Sequence, residues 1–261
     1  MTVSTSTARS ELPAESPGRT GMWIFLASDA MGFGGLLAAF IALRAGTSVW
    51  PATTRMNLGH GLLMTLLLLA SSVSMSAAVA FARRSHAANP GTPNPQSRRV
   101  RAALVATVLL GLGFLLVQAD EFQTLIRVDH LTPQTDHAAA LFFIVTGYHG
   151  LHVLAGLAAL LFVAAQKVDT TIETTGLYWQ FVDVVWLVLF GTIYVPRGAV
   201  LAWVPVVAAV VLTLWGHMKL GRQHPGNRWA LLGSLALSAL MVAVLGFEFA
   251  ARAARVLPGS P

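Results

Sequence analysis

The stretch Ala138–Ala165, AAALFFIVTGYHGLHVLAGLAALLFVAA, runs 28 residues without a Lys, Arg, Asp or Glu. A helix rises about 1.5 Å per residue, so roughly 20 apolar residues cross a hydrocarbon core of about 30 Å. A membrane strand would need only about 10 residues of alternating polarity, and no such alternation is present. The stretch therefore predicts a spanning helix. Working outward, comparable runs occupy Gly21–Leu43, Leu58–Ala82 and Ala102–Ala119 before it, and Leu177–Val195, Ala199–His217 and Trp229–Ala250 after it. Polar breaks at Thr53–Asn57, Ser85–Arg101, Asp129–Asp136, Gln166–Gly176 and Lys219–Arg228 separate them. The expected fold is an all-α, polytopic membrane bundle of seven transmembrane helices.

Composition supports this. The 261 residues are 55% hydrophobic and only 11% charged, against about a quarter charged in soluble domains. A water-soluble enzyme is thus the poorer reading. There is no cysteine, which excludes disulfides, thiolate metal sites, iron–sulfur clusters and Cys nucleophiles. The net charge of +6 would suit nucleic acid, but the basic residues gather in loops between apolar spans. There they read as loops facing anionic lipid. No nucleic-acid partner is expected. Residues 1–20 are rich in Ser, Thr, Pro and Glu and are expected to form a flexible tail, since a signal peptide would carry its apolar region there.

Orientation follows from the Lys and Arg residues. The tail (Arg9, Arg19), the second loop (Arg83, Arg84, Arg98, Arg99, Arg101), Lys167 and the sixth loop (Lys219, Arg222, Arg228) fall on one side, eleven of the 17. The positive-inside rule makes that side cytoplasmic, with the C-terminus outside. The acidic third loop, with Asp120, Glu121, Asp129 and Asp136, falls outside.

An acid at the centre of a membrane helix costs about 2.5–3.5 kcal/mol on insertion scales, so each one needs a reason. Asp29 lies roughly 12 Å deep from the cytoplasmic side, Asp183 roughly 9 Å, and His152 about 10 Å. Asp29, His152 and Asp183, three ionisable groups at one depth, predict a shared polar cluster, to which His149 is added as the neighbour of His152. His149 and His152 stand at i, i+3, on one helix face. They make a poor metal or haem site, because no carboxylate stands at i±3 or i±4 and no second such pair exists; hydrogen-bonded bundle histidines are the stronger reading. Asp29 is either a protonated acid bonded to a neighbouring helix or a group that exchanges protons or meets lipid headgroups. Asp183, beside Trp179 and Trp186 near an interface, reads as structural. His217 and Glu248, near span ends, read as snorkelling. Gly32, Gly34, Gly35, Ser71, Ser72, Ser74, Ser76, Gly147 and Gly150 read as generic helix-packing positions. No phosphate loop, dinucleotide fingerprint, nucleophile elbow or zinc-protease motif is present.

The run Thr146-Gly147-Tyr148-His149-Gly150-Leu151-His152-Val153 resembles the TG-aromatic-HG-x-HV signature of haem–copper oxidase subunit III. Tyr178-Trp179-Gln180-Phe181-Val182-Asp183-Val184-Val185-Trp186 is similar to that family's YWHFVDVVW motif, with Tyr194 closing the helix. Gly21-Met22-Trp23 through Ser28-Asp29 resembles its GMW…SE segment, and Gln118…Glu121-Phe122 its Q…EY element. The sequence departs in having Asp29 for the usual Glu and Gln180 for the usual His. The resemblance implies a five-helix core over 21–197, to which this chain adds a helix pair over 198–261, with Pro205 bending its first span.

It further implies a non-catalytic subunit of a proton-pumping terminal oxidase that reduces oxygen in aerobic electron transport. Such a subunit supports proton uptake and the stability of the catalytic subunit, and binds phospholipid. Catalytic residues, metal sites and cofactors are not expected in this chain; haem and copper belong to partner subunits. Subunits I and II are the implied partners, Gln118, Glu121, Tyr178, Trp179 and Trp186 supporting motif residues, and a bacterial-type plasma membrane the location. The competing readings are an accessory subunit of a related nitric oxide reductase, a transporter or channel using Asp29 and His149, and a b-type cytochrome. Against a transporter, spans 1–3 and 5–7 show no evident repeat.

Overall fold

The computed structural model describes residues 17–46, 57–88, 97–166 and 171–194. These form five α-helices: α1 (Pro17–Gly46), α2 (Leu58–Ala88), α3 (Arg98–Arg127), α4 (His137–Gln166) and α5 (Ile172–Ile193). Each is long and apolar enough to cross a membrane. The two further spans expected at 199–217 and 229–250, with Pro205, His217 and Glu248, lie outside the described residues.

The helix starts follow from the polar breaks. Asn57 Oδ1 accepts from Gly59 N–H at 2.9 Å, Ser97 Oγ from Val100 N–H at 3.3 Å, and Asp136 Oδ1 from Ala139 N–H at 2.7 Å. Each occupies one of the N–H groups that a helix start leaves unbonded. At the end of α3, His130 takes left-handed backbone with φ 53°. Leu131 N–H returns to the Leu125 carbonyl at 2.9 Å, and the Leu131 side chain is buried beneath the turn.

Four of the helices outrun their apolar spans by about one turn or more at one end at least, whereas α4 matches its span to within one residue at each end. Arg83 and Arg84 belong to α2, Arg98, Arg99 and Arg101 to α3, and Glu173 to the first turn of α5. Asp120 and Glu121, expected in an acidic loop, are helical residues of α3. Hydropathy marks only the hydrocarbon core, whereas a capped helix continues through the headgroup layer, where its ends meet polar surroundings.

Order in space differs from order in sequence. α1 packs along α4 and α5, whereas α2 packs along α3 and α5, and α4 joins α3 to α5. Although consecutive, α1 and α2 share no extensive seam among the described residues. α5 sits between the two groups and carries the two largest fully buried side chains, Trp179 (0% exposed) and Trp186 (1%). Both fill the core of the bundle. Gly111 of α3 and Gly156 of α4 make room for Trp179: a Cβ on Gly111 would lie 2.7 Å from the indole, and one on Gly156 would lie 3.0 Å from it.

Candidate functional site

α1 turns a narrow face towards α4 and α5, made of Met22, Leu26, Asp29, Phe33, Leu36 and Phe40, spaced three or four apart. Asp29 is the one acid on that face. On α4 the same 3.6-residue period brings Tyr148 and His152 together. His152 Nε2 lies 3.1 Å from Asp29 Oδ1. The Tyr148 hydroxyl donates to the same oxygen at 3.4 Å. The aspartate side chain is 8% exposed and the imidazole 15%, so the pair is nearly closed off. Phe33 covers it from α1, with ring centroids 4.8 Å from Tyr148 and 5.0 Å from His152. From α5, the Tyr178 hydroxyl donates to the main-chain carbonyl of His152 at 3.0 Å.

Of the four residues expected in one cluster, Asp29 and His152 are in contact, and the other two are placed differently. His149 is fully buried, with its ring among Phe33, Phe114 and Trp186 at 6.2, 5.7 and 5.4 Å. Neither of its ring nitrogens has a hydrogen-bond partner among the described residues. Although i, i+3 puts two residues on one side of a helix, the roughly 60° between their directions is enough here to face one towards α1 and the other into the core. Asp183 is also fully enclosed and lies opposite Ser72 of α2, with neither carboxylate oxygen in a hydrogen bond of normal geometry. The expectation of equal depth carried no information about which seam each of these groups would face.

The motif residues of α3 act as ties. Gln118 Nε2 donates to the Thr146 carbonyl at 2.7 Å, and its amide oxygen fills the space beside Gly150. Glu121 is buried and accepts from the Tyr194 hydroxyl at 2.6 Å, joining α3 to the end of α5. The Tyr194 ring lies over Gly61 of α2, where a Cβ would meet it at 2.8 Å. The signal missed in the sequence is Tyr148. Its motif position was read only as aromatic, yet its hydroxyl completes the contact with Asp29. Among the described residues, no group of three His, Asp or Glu side chains converges as a metal cage.

These placements accord with what the sequence is similar to. The profile of the family described as cytochrome c oxidase subunit III matches residues 7–197. A probable cytochrome c oxidase subunit 3 from Mycobacterium leprae is 34% identical over 186 residues, 68% of this chain and 87% of the relative. The cytochrome c oxidase subunit 3 of Corynebacterium diphtheriae is 36% identical, covering 67% of this chain and 85% of the relative. A cytochrome bo(3) ubiquinol oxidase subunit 3 from Buchnera aphidicola is 29% identical over 67% of this chain and 91% of its own. Apolar helices, motif residues and relatives agree: the chain belongs to the cytochrome c oxidase subunit III family and is a multi-pass membrane subunit of a haem–copper oxidase.

Proposed function

We propose that this subunit supports proton uptake into the catalytic subunit of its oxidase and prolongs that subunit's working life, with Asp29 and His152 as the groups that matter. The observation behind this reading is the 3.1 Å contact between a carboxylate and an imidazole within apolar helices. Ionisable groups inside a membrane are expensive and mark functional sites by default. Subunit I, which would hold haem and copper, and subunit II are the partners in this reading. The location is a bacterial plasma membrane, with the N-terminus cytoplasmic and the C-terminus outside. Phospholipid would cover apolar side chains that α1 and α2 leave exposed, such as Met31 and Leu66, since the two helices share no extensive seam among the described residues. Residues 198–261 would serve as a fused accessory helix pair that caps this lipid or docks a partner.

The test is Asp29→Asn in the assembled oxidase. The expected result is slower proton uptake or a shorter working lifetime, with oxygen reduction retained. Loss of haem from the complex would instead assign Asp29 to assembly and overturn the proposal. For the C-terminal pair, a complex lacking 198–261 should lose bound lipid or a partner. Unchanged lipid content and assembly would refute that role.

A further inference from the structure

The two ring nitrogens of His152 are not equivalent. Nδ1 lies 2.8 Å from the main-chain carbonyl oxygen of Tyr148, one turn earlier on α4. A carbonyl can only accept, so Nδ1 carries a proton. Nε2 is then the nitrogen that faces Asp29 Oδ1 at 3.1 Å. A bare lone pair against a bare carboxylate oxygen would place two acceptors in contact inside a low-dielectric segment, where unpaired polar groups are most costly. A second proton must lie between them.

We infer that Asp29 and His152 share a single proton between Oδ1 and Nε2, and that Tyr148 is the positioning residue that holds it on the imidazole. This rests on the reading of that pair as the functional site. Moving the proton from Oδ1 to Nε2 breaks one O–H bond and forms one N–H bond. The pair stays neutral overall either way, as a membrane interior demands. Tyr148 tips the balance. Its hydroxyl donates to Oδ1, the same oxygen that faces Nε2, and an oxygen with two donors is best satisfied as a carboxylate. Oδ2 has no hydrogen-bond partner among the described residues, so nothing on that side holds a carboxyl proton.

The surroundings fix the tyrosine and contribute no competing charge. The Tyr148 ring packs on Phe33 at 4.8 Å and on the His152 ring at 4.5 Å. Its hydroxyl passes over Gly32, 3.6 Å from where a Cβ would stand. On α5 the titratable neighbour is Tyr178, whose hydroxyl is committed to the His152 carbonyl. On α4 it is His149, packed among Phe33, Phe114 and Trp186. On α1 the adjacent Ser28 donates to its own Ile24 carbonyl.

The experiment is infrared and ¹⁵N-histidine spectroscopy on the assembled oxidase. In the unaltered protein, His152, identified by its loss in His152→Asn, should be protonated on both ring nitrogens. No protonated-carboxyl stretch should disappear in Asp29→Asn. Tyr148→Phe, with haem content and oxygen reduction retained, should gain such a stretch, and Asp29→Asn in that background should remove it. A neutral His152 in the unaltered protein, or a Tyr148→Phe spectrum with no new carboxyl band, would overturn the proposal. The unaltered protein supplies a decisive measurement even where Tyr148→Phe fails to assemble. Proton uptake in Asp29→Asn tests the functional reading separately, because unchanged uptake would sink that reading and leave the spectra to decide where the proton sits.

Discussion

Among single residues, Trp179 shows how one side chain can set three helices. Its indole lies between Gly111 and Gly156, and its N–H donates to Ser71 Oγ at 3.0 Å. Gly111→Ala would bring a methyl group to 2.7 Å from the ring and 2.9 Å from Leu157, and neither neighbour is free to swing away from the packed core. Overpacking of this kind costs about 1–3 kcal/mol. We expect a matching fall in the thermal stability of the subunit within the oxidase, measured by heat-induced loss of the subunit from the complex. Glu121 offers a second test. Tyr194→Phe removes the donor to its carboxyl while keeping the ring over Gly61, so a buried acceptor is left unmatched at about 1–3 kcal/mol. Tyr194→Phe combined with Glu121→Leu should cost less than the sum of the two single changes, because it removes both halves of the contact. Additive losses in thermal stability would show that the contact carries no coupling. The sequence motif singled out Glu121 without naming its partner, since Tyr194 lies 73 positions away and no local pattern reports a contact at that range.

At the level of helices, the α2–α5 seam is the clearest case of what periodicity cannot read. Ser71, Ser72 and Ser76 were expected to serve as generic helix-packing residues, and Thr65 was not singled out. In the structure they meet α5 turn by turn in antiparallel register. Trp186 Nε1 donates to Thr65 Oγ1 at 3.1 Å, Trp179 Nε1 to Ser71 Oγ at 3.0 Å, and Gln180 Nε2 to Ser76 Oγ at 3.2 Å. The seam closes with Arg83 and Glu173 at 2.7 Å. Thr65 and Ser71 send their own hydroxyl protons back to carbonyls of α2, which leaves their oxygens free to accept from the indoles. The run of hydroxyls is visible in the sequence, but its meaning depends on which helix lies opposite. A double-mutant cycle of Ser71→Ala and Trp179→Phe should give a coupling of about 0.6 kcal/mol, the average for hydrogen bonds between membrane helices, and no more than about 1.7 kcal/mol. Arg83→Gln should change stability by no more than about 1 kcal/mol, because that ion pair is part-exposed and solvent-screened.

For the whole molecule, hydropathy made the five described spans legible, while their neighbours were hidden. Nothing in a run of apolar residues says that α1 will leave α2 and pack on α4 and α5. Without a hydrophobic drive between helices in lipid, the choice rests on particular contacts such as Asp29 with His152 and Trp179 with Gly111. Orientation is the global property that charge does encode. Arg83, Arg84, Arg98, Arg99 and Arg101 lie where α2 ends and α3 begins, and Asp129 and Asp136 lie in the turn between α3 and α4. From the positive-inside rule we propose that the first group lies in the cytoplasm and the second outside. Because the chain contains no cysteine, one introduced thiol reports on one position alone. His86→Cys and Ser97→Cys should react with a membrane-impermeant thiol reagent only after the cytoplasmic face is opened. His130→Cys and Thr135→Cys should react in intact cells stripped of any outer barrier. The reverse pattern would invert the topology, and Asp29 would then lie closer to the outer than to the cytoplasmic surface, where it could not serve uptake of protons from within.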